Sequence, residues 1–94
     1  MKQIEITQNE LEEILDSDWE FFRDKIINGN VWCMDCRNGD QTIIDYKIFI
    51  SERNDIILKG ICKKCGNKVG RLLETGDEEK YKQEIELIRS KYKK

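Results

Sequence analysis

The four cysteines are where this chain of 94 residues could do chemistry. They form two C-x2-C pairs, Cys33/Cys36 and Cys62/Cys65, with 25 residues between the pairs. Two cysteines three positions apart on a tight turn aim both sulfurs at one point. Two such turns brought together offer four thiolates as a tetrahedron, the donor set of a closed site for one metal ion. Cys33, Cys36, Cys62 and Cys65 are therefore the expected ligands of one structural Zn²⁺. Iron is the alternative, because a tetrahedron of sulfur does not separate the two metals. Four protein ligands leave no position open for water or substrate.

A redox-active dithiol fits less well. Its low thiol pKa depends on a helix N-terminus, whereas each pair here runs into a turn. The absence of histidine removes Ser-His-Asp and Cys-His nucleophilic sites as well as imidazole ligands. No catalytic constellation emerges, no small-molecule substrate is evident, and the chain is expected not to be an enzyme. The first five residues, MKQIE, lack the apolar run of a secretory signal, and no segment approaches the roughly 20 apolar residues of a membrane span. A cytoplasmic location follows as an expectation, since paired cysteines in a reducing compartment more often bind metal than form disulfides.

The elements that must position the sulfurs are legible as changes of period. Ile4 and Ile6 alternate with polar neighbours, as a short strand or extended lead-in would. Thr7 with Glu10, and again Ser17 with Glu20, are capping-box patterns. Leu11, Ile14 and Leu15, then Trp19, Phe22 and Ile26, fall at helical spacing, so one bent helix or two short ones are expected over 8–28. From Thr42 the period drops to 2: Ile44, Tyr46, Ile48 and Ile50 are expected on one face, with Asp45 and Lys47 on the other. Residues 51–55 read as a turn, 56–61 as the partner strand, and 69–73 as a third strand that Thr75-Gly76-Asp77 breaks. Tyr81, Ile85, Ile88 and Tyr92 form a narrow helical stripe, with acids at the start of that helix and lysines at its end. The hairpin over 42–61 is what brings the two cysteine pairs together. A glycine follows each pair, Gly66 at once and Gly39 after two residues, and each is expected to turn backbone amides toward sulfur.

At this point the chain resembles the zinc-ribbon group of folds. The resemblance covers about 31–74 and rests on Cys33, Cys36, Cys62, Cys65, Gly66 and the alternating strands between. It implies an α+β fold: an antiparallel zinc ribbon of two to three strands (31–74), an N-terminal helical segment (1–30) and a C-terminal amphipathic helix (75–94), in a single domain. Rubredoxins share the paired C-x2-C knuckles, which is the route to the iron alternative and to electron transfer. The ribbon of transcript-cleavage elongation factors carries an adjacent Asp-Glu pair at its tip. Here Glu52 and Asp55 stand at the predicted tip, split by Arg53 and Asn54. Residues 31–74 are expected to be unstable without metal, because finger-type sites contribute roughly 10–16 kcal/mol and a core this small only about 3–5 kcal/mol.

The net charge of −2 hides a gradient: −5 over residues 1–30, +2 over 31–74 and +1 over 75–94. Lys59, Lys63, Lys64, Lys68 and Arg71 form a basic run that offsets the thiolates and is the candidate contact for nucleic acid or another anion. Trp32 is expected to lie over the metal cage as a lid, the alternative being an exposed stacking platform for a base. Phe21 and Phe49 fall off the apolar faces and, with Tyr81, Ile85, Ile88 and Tyr92, are candidate partner contacts. The functional expectation is a small zinc-binding adaptor or regulatory protein acting through protein–protein contacts or self-association, since two apolar helix stripes need covering. A nucleic-acid-binding ribbon serving transcription or translation is the alternative.

Overall fold

The computed structural model describes residues 3–92 and has an α+β architecture. Strand β1 (Ile4–Ile6) leads into helix α1 (Gln8–Leu15), a 3-10 turn at Asp16–Asp18, a short helix α2 (Trp19–Phe22) and a π-type turn at Arg23–Ile27. Then come β2 (Val31–Cys33), β3 (Asn38–Gln41), β4 (Ile43–Ile50), β5 (Ile56–Cys62), β6 (Lys68–Leu73) and helix α3 (Glu79–Tyr92). One antiparallel sheet has the order β1-β4-β5-β6, and β2-β3 forms a separate antiparallel ribbon. The three expected strands are thus joined by β1, which pairs with β4 from Ile4↔Ile50 to Ile6↔Ile48.

The first capping box forms as the pattern requires. The Glu10 N–H donates to Thr7 Oγ1 at 3.1 Å and the Thr7 N–H donates to Glu10 Oε1 at 2.9 Å. The second does not: Asp16 turns the chain with φ of 49°, and no side chain caps α2. The helical segment is therefore bent at Asp16.

The sheet buries one face. Ile4–Ile50–Ile56–Leu73 and Ile6–Ile48–Leu58 run side by side across the strands beneath Leu11, Ile14 and Leu15 of α1 and Tyr81, Ile85 and Ile88 of α3. Tyr81, Ile85 and Ile88 are core residues of their own chain, at 6%, 0% and 0% exposure, and so are not free for a partner. Helices α1 and α3 run antiparallel and are tied at both ends. Tyr92 donates its hydroxyl to Glu10 Oε1 at 2.7 Å and Lys91 Nζ lies 3.4 Å from Oε2. At the other end Tyr81 donates to Asp18 Oδ2 at 2.8 Å, and Lys80 Nζ lies 2.7 Å from the same atom.

Strict alternation along β4 fails at one point. Ile44 pairs with Ile61 and Lys47 with Lys59, so Asp45 and Tyr46 together oppose Gly60. This is a β-bulge, with Asp45 at φ of 51°. The extra residue inverts the phase, so Ile43, not Ile44, joins Ile48 and Ile50 in the core. Gly60 is required opposite the bulge, because a Cβ there would sit 2.6 Å from the Ile44 carbonyl oxygen and 2.8 Å from Tyr46 Cα.

The turn between β4 and β5 is clamped from outside. Ser51 Oγ accepts from the N–H groups of Arg53 and Asp55, each at 3.2 Å. Thr75 donates to the Asn54 carbonyl at 2.7 Å and the Gly76 N–H to Asp55 Oδ1 at 2.8 Å. Arg89 donates to Asn54 Oδ1 at 2.7 Å and to the Ser51 carbonyl. Thr75-Gly76 therefore does more than end a strand, and the Asp55 carboxylate is committed to holding the turn.

Candidate metal centre

Each cysteine pair forms the loop of a hairpin. Cys33 ends β2 and Cys36 precedes β3; Cys62 ends β5 and Cys65 precedes β6. The two loops repeat one geometry. The Arg37 N–H donates to the Cys33 carbonyl at 2.7 Å, and the Gly66 N–H donates to the Cys62 carbonyl at 2.8 Å. Arg37 has φ of 59° and Gly66 φ of 80°. The residue that turns the first loop is therefore Arg37, not Gly39. Gly39 lies in β3, where a Cβ would meet the Trp32 ring at 3.8 Å. A left-handed arginine costs about 1–2 kcal/mol, which the rest of the loop must offset.

The pairing of Ile43 with Cys62 brings the loops together. The Lys63 N–H donates to the Thr42 carbonyl at 2.9 Å, while Thr42 Oγ1 accepts from the Gly29 N–H at 2.9 Å. Thr42 thus links the exit of the first hairpin to the second loop.

The four Sγ atoms all lie within 4.8 Å of one another, with Cys33–Cys65 at 3.5 Å and Cys36–Cys62 at 3.9 Å. A tetrahedral ion with metal–sulfur bonds of about 2.3 Å needs sulfur–sulfur edges of about 3.8 Å. The cysteines are free thiols, and their sulfurs lie within about 1 Å of that spacing. The donor set fits a four-cysteine metal site, and sulfur geometry leaves zinc and iron equally accommodated. Cys33 and Cys62 are buried, Cys36 is partly buried and Cys65 is exposed, so the cage is open to solvent at one corner.

Without a metal the four thiols share protons. Backbone N–H groups of Cys65 and Lys64 aim at Cys62 and, against its burial, pull it down to about 7. Burial and the neighbouring sulfurs of Cys33, Cys65 and Cys62 push Cys36 up to about 12. The Cys36 N–H favours the Cys33 thiolate, but burial and the Cys65 sulfur outweigh it and the net shift is upward. A divalent ion would displace these protons, so its binding strengthens as pH rises. Asn67 Nδ2 donates to Cys65 Sγ at 3.6 Å, and the Gln41 side chain lies 3.8 Å from Cys62 Sγ.

The other candidate residues separate into groups. Trp32 is 59% exposed between buried Val31 and Cys33, so it points away from the core and is not a lid. Strand parity beside a buried cysteine carries that signal. Met34, in the first loop, is 78% exposed, and no periodicity in the sequence singles it out. Lys59, Lys63, Lys64 and Lys68 are all exposed. Arg71 is set apart from them: it shares strand parity with Val69 and Leu73, pairs with Leu58, and has a buried Nε without a partner among the described residues. Phe21 is 58% exposed, and Phe49 is half-buried with Lys59 Nζ 4.9 Å from its ring centre. Tyr92 is 40% exposed, with its hydroxyl committed to Glu10. No helix among the described residues is long and apolar enough to cross a membrane.

Compared with known proteins, the chain matches no family model, no curated protein and no solved structure.

Proposed function

We propose that the chain is a non-enzymatic zinc-ribbon module: one structural Zn²⁺ on Cys33, Cys36, Cys62 and Cys65 fixes two hairpins, and the surface so fixed binds a protein partner. The observation that carries this reading is the gathering of four sulfurs, two of them buried, close to tetrahedral spacing. Four thiolates complete the coordination of zinc and leave no place for a reacting water. The ion's work is then to hold shape, and a thiolate cage suits a reducing compartment such as the cytoplasm. The need to cover two helix stripes does not support a protein partner, since both stripes lie in the core. What supports one is a half-apolar sheet face that no helix covers.

Metal analysis of the purified protein with native mass spectrometry tests the first half. One zinc per chain, colourless protein, and loss of the metal in Cys62→Ser are expected. A coloured protein with one iron per chain would replace the zinc reading with the electron-carrier reading. Binding to mixed DNA and RNA that weakens steeply with salt and on neutralising Lys63, Lys64 and Lys68 would favour nucleic acid as partner instead.

A further inference from the structure

The four-stranded sheet has two faces, and only one is roofed. Strand parity places Ile48, Ile50, Ile56, Leu58 and Leu73 under the helices. The residues between them face the other way, and the register aligns them in rows. Glu5, Phe49, Ile57 and Leu72 lie side by side across all four strands. The next row is Lys47, Lys59 and Gly70, and beyond it come Ile44, Ile61 and Lys68. Leu72 is 48% exposed, and Ile44, Phe49, Ile57 and Ile61 are each half-buried with no helix above them. Because Gly70 has no side chain, the middle row falls away into a groove of about 570 Å³ between Lys59 and Lys68, with Ile61 and Gly70 from this face and Gly60 and Val69 from the alternate positions, Val69 itself packing against the core.

Charge says what kind of molecule covers this face. Lys47, Lys59 and Lys68 project from it, and Lys63 and Lys64 stand at its metal-loop end. Among the described residues no carboxylate pairs with any of the five, and the one acid in these rows is Glu5 on the far strand. Seven of the 19 acids, Glu10, Glu12, Glu13, Asp16, Asp18, Glu20 and Asp24, lie in the helical layer, while the exposed Asp45 at the β4 bulge and Glu74 just past β6 flank the lysine rows in sequence. Two copies meeting on the open face would set lysine against lysine, which argues against self-pairing there.

The floor decides between anionic partners. Single-stranded nucleic acid draws its sequence-tolerant affinity from bases stacked on aromatic rings. Here the apolar residues of the open face are Ile44, Ile57, Ile61 and Leu72, and its single aromatic ring, Phe49, is already capped by Lys59. Branched aliphatic side chains suit the Leu, Ile or Phe anchors that a helix presents at i, i+3/i+4 and i+7. The groove follows β5 and β6, and a helix about 10 Å wide lying along it would also reach over the flanking rows of β4 and β6, since neighbouring strands are about 5 Å apart. Lysines on both sides of that trough would meet acids flanking the helix stripe.

We propose that the open face of the β1-β4-β5-β6 sheet is the docking surface for an acidic amphipathic helix of a partner protein, seated along the groove between Lys59 and Lys68. This deepens the reading of the chain as a protein-binding module and rests on it. The test selects a displayed library of helical peptides, with randomised stripe and flanks, against the metal-loaded full chain. The winners are then measured against Lys47→Glu/Lys59→Glu/Lys68→Glu and, separately, Leu72→Glu, after unfolding curves and metal content show that both variants fold. The expected winners carry an aliphatic stripe flanked by Asp or Glu, weaken with salt, and lose roughly tenfold or more in affinity to each variant, as a like-charge clash at an interface would cause. Winners without an acidic bias, or indifferent to both variants, would overturn this docking surface while leaving protein binding intact. A 12-nucleotide oligouridine that outbinds every winner and is lost in the triple variant would overturn both readings together.

Discussion

Stripping the metal should undo the two loops before it undoes the sheet, a narrower loss than the whole of 31–74 expected from sequence, because Ile48, Ile50, Ile56 and Leu58 belong to the core that the helices cover. Zinc held at a free concentration 1,000-fold above its dissociation constant adds about 4.1 kcal/mol to the folded state, about as much as a core of this size supplies, roughly 3–5 kcal/mol. The reporters are four amides whose acceptors lie in or beside the cage. Arg37 donates to Cys33, Cys62 to Asn67, Gly66 to Cys62 and Lys63 to Thr42, at 2.7–2.9 Å. Each belongs to a loop whose only deep anchors are the buried sulfurs of Cys33 and Cys62. Their opening free energy should therefore carry the whole metal contribution, a loss of protection of about 1,000-fold when zinc is chelated. The amides where Ile48 pairs with Leu58 and Ile50 with Ile56 lie under the helices and should keep the smaller protection that the core alone provides. Hydrogen exchange by NMR, on one sample in zinc buffer and then with chelator, measures both sets together. Unchanged protection at Arg37 and Gly66 after complete zinc removal would refute the reasoning, because turn hydrogen bonds alone would then be holding the loops.

Local geometry sets three further outcomes. Arg37→Gly should raise stability by about 0.5–1 kcal/mol by relieving a left-handed arginine, the gain being reduced by the freer unfolded chain; Gly66→Ala should lower it by about 1 kcal/mol, and thermal unfolding in zinc buffer reads both. Gly60→Ala should cost at least about 2 kcal/mol, since its Cβ would strike backbone at 2.6 Å, whereas Gly70→Ala meets only the Leu58 carbonyl oxygen at 3.4 Å and should be nearly neutral. Burial pushes the Glu10 carboxyl up, but the Thr7 N–H, the Tyr92 hydroxyl and Lys91 outweigh it and hold it below the usual range. Lys80 and Tyr81 do the same for Asp18. Both folded-state values are depressed, so these groups stabilise the protein at neutral pH, and that stability is lost as pH falls below about 4. Glu10→Gln should lower the midpoint at pH 7 and flatten the acid limb of a pH–stability profile, and an unchanged acid limb would count against the latch.

The parts of this fold that are legible in sequence are those fixed by short-range rules. The capping box at Thr7 and Glu10, the hairpin with its turn at 51–55, and the four sulfurs on two matched loops all depend on residues a few positions apart. The departures each come from a single backbone event that no side-chain pattern announces. One extra residue at Asp45 exchanges Ile43 for Ile44 in the core. A left-handed Arg37 takes the place that a glycine is expected to fill. Asp16 turns the chain where the pattern suggests a second capping box. The stripe on α3 is an apolar face, as its spacing requires, but what covers it is the chain's own sheet, and α3 is latched to α1 by a contact between Glu10 and Tyr92, 82 positions apart. Trp32 can be placed from its neighbour alone: once Cys33 is buried, the residue before it in an extended strand must look outward.

A net charge of −2 says little about partners for a related reason. Summed charge discriminates only when it is spread evenly, and here folding sorts it by layer. The acids between residues 8 and 24 wind into helices on one side of the sheet. Lys47 and Lys59 are separate in sequence yet directly paired across β4 and β5, and Lys68 enters the adjoining row only because β6 returns beside β5. Two lysines placed directly opposite each other repel, which costs stability in the isolated chain, and no carboxylate among the described residues relieves the pair. A surface that keeps such a pair in place, over an aliphatic floor, is stabilised by whatever brings acids to it. Lys47→Glu alone should therefore stabilise the free protein by a few tenths of a kcal/mol, through a new cross-strand ion pair with Lys59, while weakening the binding of an acidic helix. Opposite signs for stability and binding at one residue would mark the position as kept for recognition rather than for folding; a loss in both would mean that Lys47 serves the sheet itself.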